Sequence, residues 1–309
     1  MYTTMILGAI AGLSLFLYGM QLMGDGLQKV AGEGLKGIIR KLTKNRFMSV
    51  LVGMFVTTII QSSSATTVMV VGFVNAGLMT LAQAVGVVFG ANVGTTITGQ
   101  MVSFNLSQWA PIVIASGLVA NMLTKNPKVK EASEIFIGFG ILFIGMSSLS
   151  SALQPLKELP EFTNWILQYG SNPFIGVGIG LLMTLVLQSS SATIGVLIAL
   201  ASQGVLPITT AVFIIFGDNI GTCTTALISS LGTSRRGKQV ALFHLMINVI
   251  GTVYFMLFLR GILVNVVESI DPGNVARQIA NAHTIFNIVN VIVLFPFTNL
   301  LVKLIQMII

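Results

Sequence analysis

The sequence predicts an all-α polytopic membrane protein of two inverted-topology repeats, each with a re-entrant helical hairpin and broken helices meeting near the bilayer midplane. Three observations carry this. Of 309 residues, 54% are hydrophobic and 8% charged, where a soluble domain carries roughly a quarter charged, and mean hydropathy is +0.92. Apolar runs of about 15 to 25 residues recur along the chain, the length a bilayer core demands of a helix. A long block of sequence also returns 127 positions later with its polar residues in register.

In chain order, Met1-Tyr2-Thr3-Thr4 brings no basic residue ahead of the first apolar stretch. Residues 5–23 therefore read as a retained span and not as a cleaved signal. Further spans are expected at 78–102, 110–124 and 135–153, then at 205–230, 239–259 and 284–302. The stretch 47–76 differs, because its apolar arms Phe47–Ile60 and Ala65–Ala76 are each too short to span and are joined by Gln61-Ser62-Ser63-Ser64. Short paired apolar segments, interrupted at matching places in both halves, point to broken or re-entrant helices around a midplane site. A second hairpin follows at about 174–204. The expected division is 1–134 for the first repeat, 135–270 for the second and 271–309 for a C-terminal span.

The repeat is explicit. Gln61-Ser62-Ser63-Ser64-Ala65-Thr66 recurs as Gln188-Ser189-Ser190-Ser191-Ala192-Thr193, and Gly90-Ala91-Asn92-Val93-Gly94-Thr95 recurs as Gly217-Asp218-Asn219-Ile220-Gly221-Thr222. The same offset pairs Asn45 with Asn172, Gly53 with Gly180, Thr57 with Thr184 and Asn121 with Asn248. If 47–76 returns to its own side, three crossings separate equivalent points and the second repeat is inverted. Charge agrees. The basic residues bunch at Lys29, Lys36, Arg40, Lys41, Lys44 and Arg46, at Lys125, Lys128 and Lys130, and at Arg235, Arg236 and Lys238. Inversion puts all three groups on one side, the cytoplasmic one by the positive-inside rule, with the N-terminus outside and the C-terminus inside. The net charge of +7 thus reads as membrane topology and not as nucleic-acid binding. The single cysteine, Cys223, excludes an intrachain disulfide, and Trp109 and Trp165 sit near span ends, where interfacial aromatics belong.

At a hairpin tip, three hydroxyls ahead of a helix put Ser at the N-cap, with first-turn N–H groups pointing back at the tip. That is an anion cradle, and two such tips meeting head to head would surround one small tetrahedral anion. Gly-x-Asn-x-Gly-Thr fits beside them: glycine lets a helix unwind or pack closely, Asn both donates and accepts, and freed carbonyls coordinate hard cations. Sodium is the natural candidate for an oxygen-only site. Ser and Thr in membrane helices commonly serve packing instead, yet packing does not require the same six residues in both halves. Asp218 is the one acidic residue inside a predicted span, opposite Ala91 of the first repeat. A carboxylate there costs about 2.5–3.5 kcal/mol on insertion scales, so a cation or a watery cavity is expected beside it. His244 and His283 each precede an Asn (Asn248, Asn287) by four positions, on one helix face, and structural hydrogen bonds are expected of both histidines.

Duplicated Gln-Ser-Ser-Ser, each followed about thirty residues later by Gly-x-Asn-x-Gly-Thr, resembles the type II sodium/phosphate cotransporter family. The resemblance implies a plasma-membrane, multi-pass carrier of inorganic phosphate driven by sodium. The resemblance further implies a protein that is not an enzyme and needs no cofactor beyond the transported sodium ions. It implies that phosphate meets Gln61, Ser62, Ser63 and Ser64 from one side and Gln188, Ser189, Ser190 and Ser191 from the other, with Asn92 and Asn219 nearby. Sodium is implied among Thr66, Thr95, Thr193, Thr222 and the Asn121/Asn248 pair, with Asp218 as a cation-linked carboxylate. Many bacterial members append a soluble regulatory domain, and a member without it is the expectation here. A homodimer is a further expectation, held only because transporters often associate through a scaffold face. Two other readings stay open on the residues alone. A hydroxyl and amide cradle would also suit sulfate, and a sodium-independent anion channel or exchanger would use the same tips. An intramembrane hydrolase using one Ser with His244 or His283 needs a privileged nucleophile, which two equivalent serine triplets do not provide.

Overall fold

The computed structural model describes residues 2–32, 34–43 and 45–309, and contains no strand among the described residues. Its helices are α1 (Tyr2–Ala31), α2 (Gly34–Leu42), α3 (Arg46–Ile60), α4 (Ser63–Asn75), α5 (Leu81–Gly94), α6 (Thr96–Ser103), α7 (Ala110–Leu123), α8 (Pro127–Leu153), α9 (Pro160–Tyr169), α10 (Pro173–Leu187), α11 (Ser190–Ser202), α12 (Ile208–Gly221), α13 (Cys223–Ser230), α14 (Arg235–Tyr254), α15 (Arg260–Ile270), α16 (Val275–Leu294) and α17 (Thr298–Ile308). Among the described residues six helical stretches are long and apolar enough to cross a membrane, so the chain is a multi-pass membrane protein. The expected span at 110–124 is realised as a shorter apolar stretch, Ser107–Leu123. Four others outrun their expected bounds: 5–23 becomes Tyr2–Ala31, 135–153 becomes Pro127–Glu158, 239–259 becomes Arg235–Ile270 and 284–302 becomes Val275–Ile308, because flanking Gln, Lys, Arg and Glu are good helix formers. The basic stretch 29–46 contains α2, which buries Leu35 and Ile39 four positions apart on one face. Lys44 and the side chains of Lys36, Arg40 and Lys41 lie outside the described residues.

The boundaries of α3, α4, α5 and α6 recur 127 residues later, without a shift, as those of α10, α11, α12 and α13. Close glycine contacts set their directions. A methyl group on Gly12, Gly19 or Gly26 of α1 would collide with Leu149, Leu142 or Ile135 of α8. The partner number falls as the glycine number rises, so the two helices are antiparallel along their length. Small residues at such a seam let helix backbones approach closely in lipid. Between α3 and α5 the numbers rise together, Gly86 meeting Arg46, Gly90 meeting Val50 and Gly94 meeting Met54. Those two helices are parallel, so α4 is the return leg of a helical hairpin. The second half repeats this, with Gly217 against Val177 and Gly221 against Leu181.

Hydrogen bonds gather the connecting segments at two ends. Lys29 binds Glu134 (2.6 Å), Ser234 N donates to Asn75 (2.7 Å) and Gln239 donates to the Ile309 carbonyl (2.9 Å). At the other end Gln203 donates to Ser150 (2.8 Å) and Arg277 to Ser103 (2.8 Å). Two apolar cores fill the space between: one joins α3, α4 and α5 to α14 and α17, the other joins α1 and α8 to α11, α12 and α16.

Candidate functional site

Both hairpin tips are built alike. Asn45 caps α3 and Asn172 caps α10 with their side-chain oxygens. The arms end on Gln61 and Gln188, both in the left-handed region (φ 58° and 50°), a conformation that costs a non-glycine residue on the order of 1–3 kcal/mol. Ser62 and Ser189 follow as extended N-caps, accepting from Ala65 N (3.1 Å) and Ala192 N (3.2 Å). The capping role expected of the first Ser is thereby met. Among the described residues the N–H groups of Ser63, Ser64, Ser190 and Ser191 make no backbone or side-chain hydrogen bond.

The two tips line one cavity of about 220 Å³, walled by Gln61, Ser62, Ser63, Ser64, Gln188, Ser189, Ser190, Ser191 and Thr95, with Met20, Gln21, Gly24, Asp25 and Gln28 of α1. Thr95 of the first half meets Ser190 of the second (Oγ1 to Oγ, 3.3 Å), a contact between the halves. Asp25 escaped the sequence reading because the first span was ended at 23. The row Gln21, Asp25, Gln28, at helical spacing, is the signal that could have found it.

Other expected ligands are not at this wall. Asn92 Oδ1 accepts from His244 Nε2 (2.9 Å) and Asn92 Nδ2 donates to Asn248 Oδ1 (3.0 Å), tying α5 to α14. Asn219 donates to the Ile215 carbonyl of its own helix (2.7 Å). Asn121 donates to Ser133 (2.9 Å) where α7 packs on α8, away from its repeat partner Asn248. Gly-x-Asn-x-Gly-Thr divides α5 from α6 at Thr95 (φ −66°, ψ −22°) and α12 from α13 at Thr222 (−57°, −28°), and both residues keep near-helical angles, so the interruption is slight. The motif's glycines serve close packing of α5 on α3 and α12 on α10, since a methyl on Gly90 or Gly217 would strike the carbonyl of Val50 or Val177.

Behind each tip a threonine pair crosses the hairpin, Thr57 to Thr66 (2.9 Å) and Thr184 to Thr193 (3.0 Å). In the second half Thr184 Oγ1 also lies 2.6 Å from Asp218 Oδ1 and 2.9 Å from the Gly180 carbonyl, and Thr222 donates back to the Asp218 carbonyl. The other carboxylate oxygen, fully buried, has no hydrogen bond and lies 4.0 Å from His283 Nε2. His244 makes the structural hydrogen bond expected of it, whereas neither ring nitrogen of His283 makes one. The first half has Ala91 in place of the carboxylate.

A second cavity of about 650 Å³ lies toward the opposite end, lined by Ser103, Ser107, Ser147, Ser150, Ser151 and Ser202 among others. Buried Phe16, Leu142 and Ile194 belong to the apolar core that also supplies Val102, Met146 and Ile198 to this second wall.

Comparison with known proteins places this architecture. Residues 15–151 and 145–270 each match the family described as Na+/Pi-cotransporter. The chain is 30% identical over 294 residues to the Bacillus subtilis "Uncharacterized protein YqeW", covering 95% of each. It is 23% identical over 294 residues to the Escherichia coli "Putative inorganic phosphate export protein YjbB", covering 95% of this chain and 54% of that one, so it spans about half that relative's length. A 102-residue stretch is 37% identical to the rat "Sodium-dependent phosphate transport protein 2A", 31% of this chain and 16% of that protein. No solved structure matches. Two successive matches to one family, falling on the two halves that carry the duplicated tips, make this chain a member of the Na+/Pi-cotransporter family.

Proposed function

We propose that this protein carries inorganic phosphate across the membrane, coupled to sodium, by alternating access. Phosphate transport is where the family and the names of the relatives point. The observation that carries the reading here is the shared cavity, in which two capped tips present hydroxyls and uncommitted N–H groups from opposite halves. Helix N-termini hold a partial positive charge of roughly half an elementary charge. Among the described residues no Lys or Arg lines the cavity, so a doubly charged anion needs cations before it can be occluded in a low-dielectric site. Each unbalanced charge crossing the field is worth about 2.3 kcal/mol per 100 mV.

Sodium is assigned first to the oxygens behind the second tip. Thr184 has one proton and three oxygen neighbours, in Gly180, Thr193 and Asp218. A hydroxyl donates only once, and a cation among these oxygens relieves the competition. The Thr57/Thr66 pair is the weaker, uncharged counterpart. The antiparallel packing of α1 on α8 and the hairpin course of α3 and α4 support an inverted, re-entrant arrangement, with the first cavity opening to the basic, cytoplasmic end. Transport then consists of closing that opening and parting the apolar layer toward the serine-lined cavity.

The test is cysteine accessibility. Ser63→Cys and Ser190→Cys should both react with a membrane-impermeant thiol reagent from the cytoplasmic face, and addition of sodium with phosphate should shift reactivity toward the outer face. Labelling that stays on one face regardless of ions contradicts alternating access.

A further inference from the structure

We propose that Asp25 makes this cavity selective for oxyanions that carry a proton, phosphate above all, against sulfate. The inference rests on the cavity being the phosphate site. Asp25 reaches the wall from α1 together with Gln21 and Gln28, at spacings that put all three on one helix face. Gly24 brings that stretch of helix against the first tip: a methyl there would sit 3.4 Å from the Ile60 carbonyl oxygen and 3.6 Å from Gln61 Cβ.

Apart from Asp25 the polar wall is made of neutral hydroxyls, amides and backbone N–H groups, all of which can donate except where already committed. Four N–H groups and the hydroxyls of both serine triplets suit any small oxyanion, and they do not separate phosphate from sulfate. An ionised carboxylate can only accept. Phosphate near neutral pH keeps at least one P–OH, which can donate to Asp25 in a charge-assisted hydrogen bond. Sulfate has no proton to give, so its oxygens meet the carboxylate with repulsion alone, and a site that repels the wrong ligand gains specificity as surely as one that attracts the right one. Lys29, one turn beyond Asp25, is the residue placed to neutralise it, but its ammonium lies 2.6 Å from Glu134. Among the described residues Asp25 has no ion pair of its own. Its repeat counterpart is Ala152, so the acceptor is supplied by the first half alone.

The experiment is competition for radiolabelled phosphate uptake in proteoliposomes of the full chain. Excess sulfate should leave wild-type uptake unchanged, whereas arsenate, which keeps a proton, should inhibit. In Asp25→Asn, sulfate should become a competitor, its inhibition constant falling about tenfold or more, the scale of one hydrogen bond to a charged group. Asp25→Ser removes the carboxylate by a second route should the Asn variant fail to assemble, and Asp25→Glu should keep sulfate excluded. Sulfate inhibiting the wild type, or variants lacking the carboxylate that still ignore sulfate, overturns the proposal. So does a variant in which only the sodium requirement moves, since that makes Asp25 a cation ligand. Uptake undiminished in Ser63→Ala and Ser190→Ala instead removes the cavity as the phosphate site, an outcome read independently of Asp25.

Discussion

The two hairpins share a backbone and differ in what their side chains are free to do. At the first tip Gln61 is 8% exposed. Its amide is committed on both sides, accepting from Thr98 (2.7 Å) and donating to the Thr58 carbonyl. At the second tip Gln188 is exposed and has no side-chain hydrogen bond among the described residues. Behind the tips the order reverses, with Thr57 and Thr66 a simple pair in the first hairpin and Thr184, Thr193 and Asp218 a cluster built on a buried carboxyl group in the second. Duplication thus kept the helix ends that cradle an anion and let the surrounding polar groups diverge. One half holds its tip by hydrogen bonds; the other holds a buried carboxylate.

The largest effect should fall on what the halves still share. Gly90→Leu and Gly217→Leu would each force a side chain into the backbone of α3 or α10, and overpacking of this kind should cost about 3 kcal/mol or more. Thermal unfolding in detergent should show comparable losses in the two variants, and tolerance in either would break the equivalence. Next comes the carboxylate. Asp218→Asn should raise the sodium concentration for half-maximal uptake by about tenfold, by loss of roughly 1.4 kcal/mol of cation binding. Ala91→Asn, at the equivalent place, should leave sodium activation unchanged. A smaller difference separates the glutamines. Gln61→Ala strands Thr98 and should destabilise by about 1–2 kcal/mol, while Gln188→Ala should change stability by less than about 0.5 kcal/mol and should show itself in the phosphate KM instead.

What was legible in the sequence was what the duplication marks. The hairpins, the tips and the Ser caps follow from two copies of six residues, since chance packing does not conserve a polar hexapeptide at one offset. Asn92, Asn219 and Asn121 were assigned to ligands because a lone amide in an apolar helix looks the same whether it faces an anion or another helix. In the structure Asn92 meets α14 and Asn121 meets α8, while Asn219 turns back on its own helix, and none of these partners can be named from the sequence. Asp25 lay beyond the apolar run that ended the first predicted span, although the helix continues to Ala31. The glycines at 12, 19 and 26 carry the longest helix contact, yet a seven-residue spacing names no partner until α8 is in place.

The most direct test of the central claim is uptake of radiolabelled phosphate into proteoliposomes holding the purified protein, under an inward sodium gradient against an equal potassium gradient. Ser63→Ala and Ser190→Ala serve as the paired variants. A shared two-tip site predicts sodium-dependent uptake that falls to background in both. Phosphate flux indifferent to sodium, or full uptake surviving the loss of either serine, would contradict it.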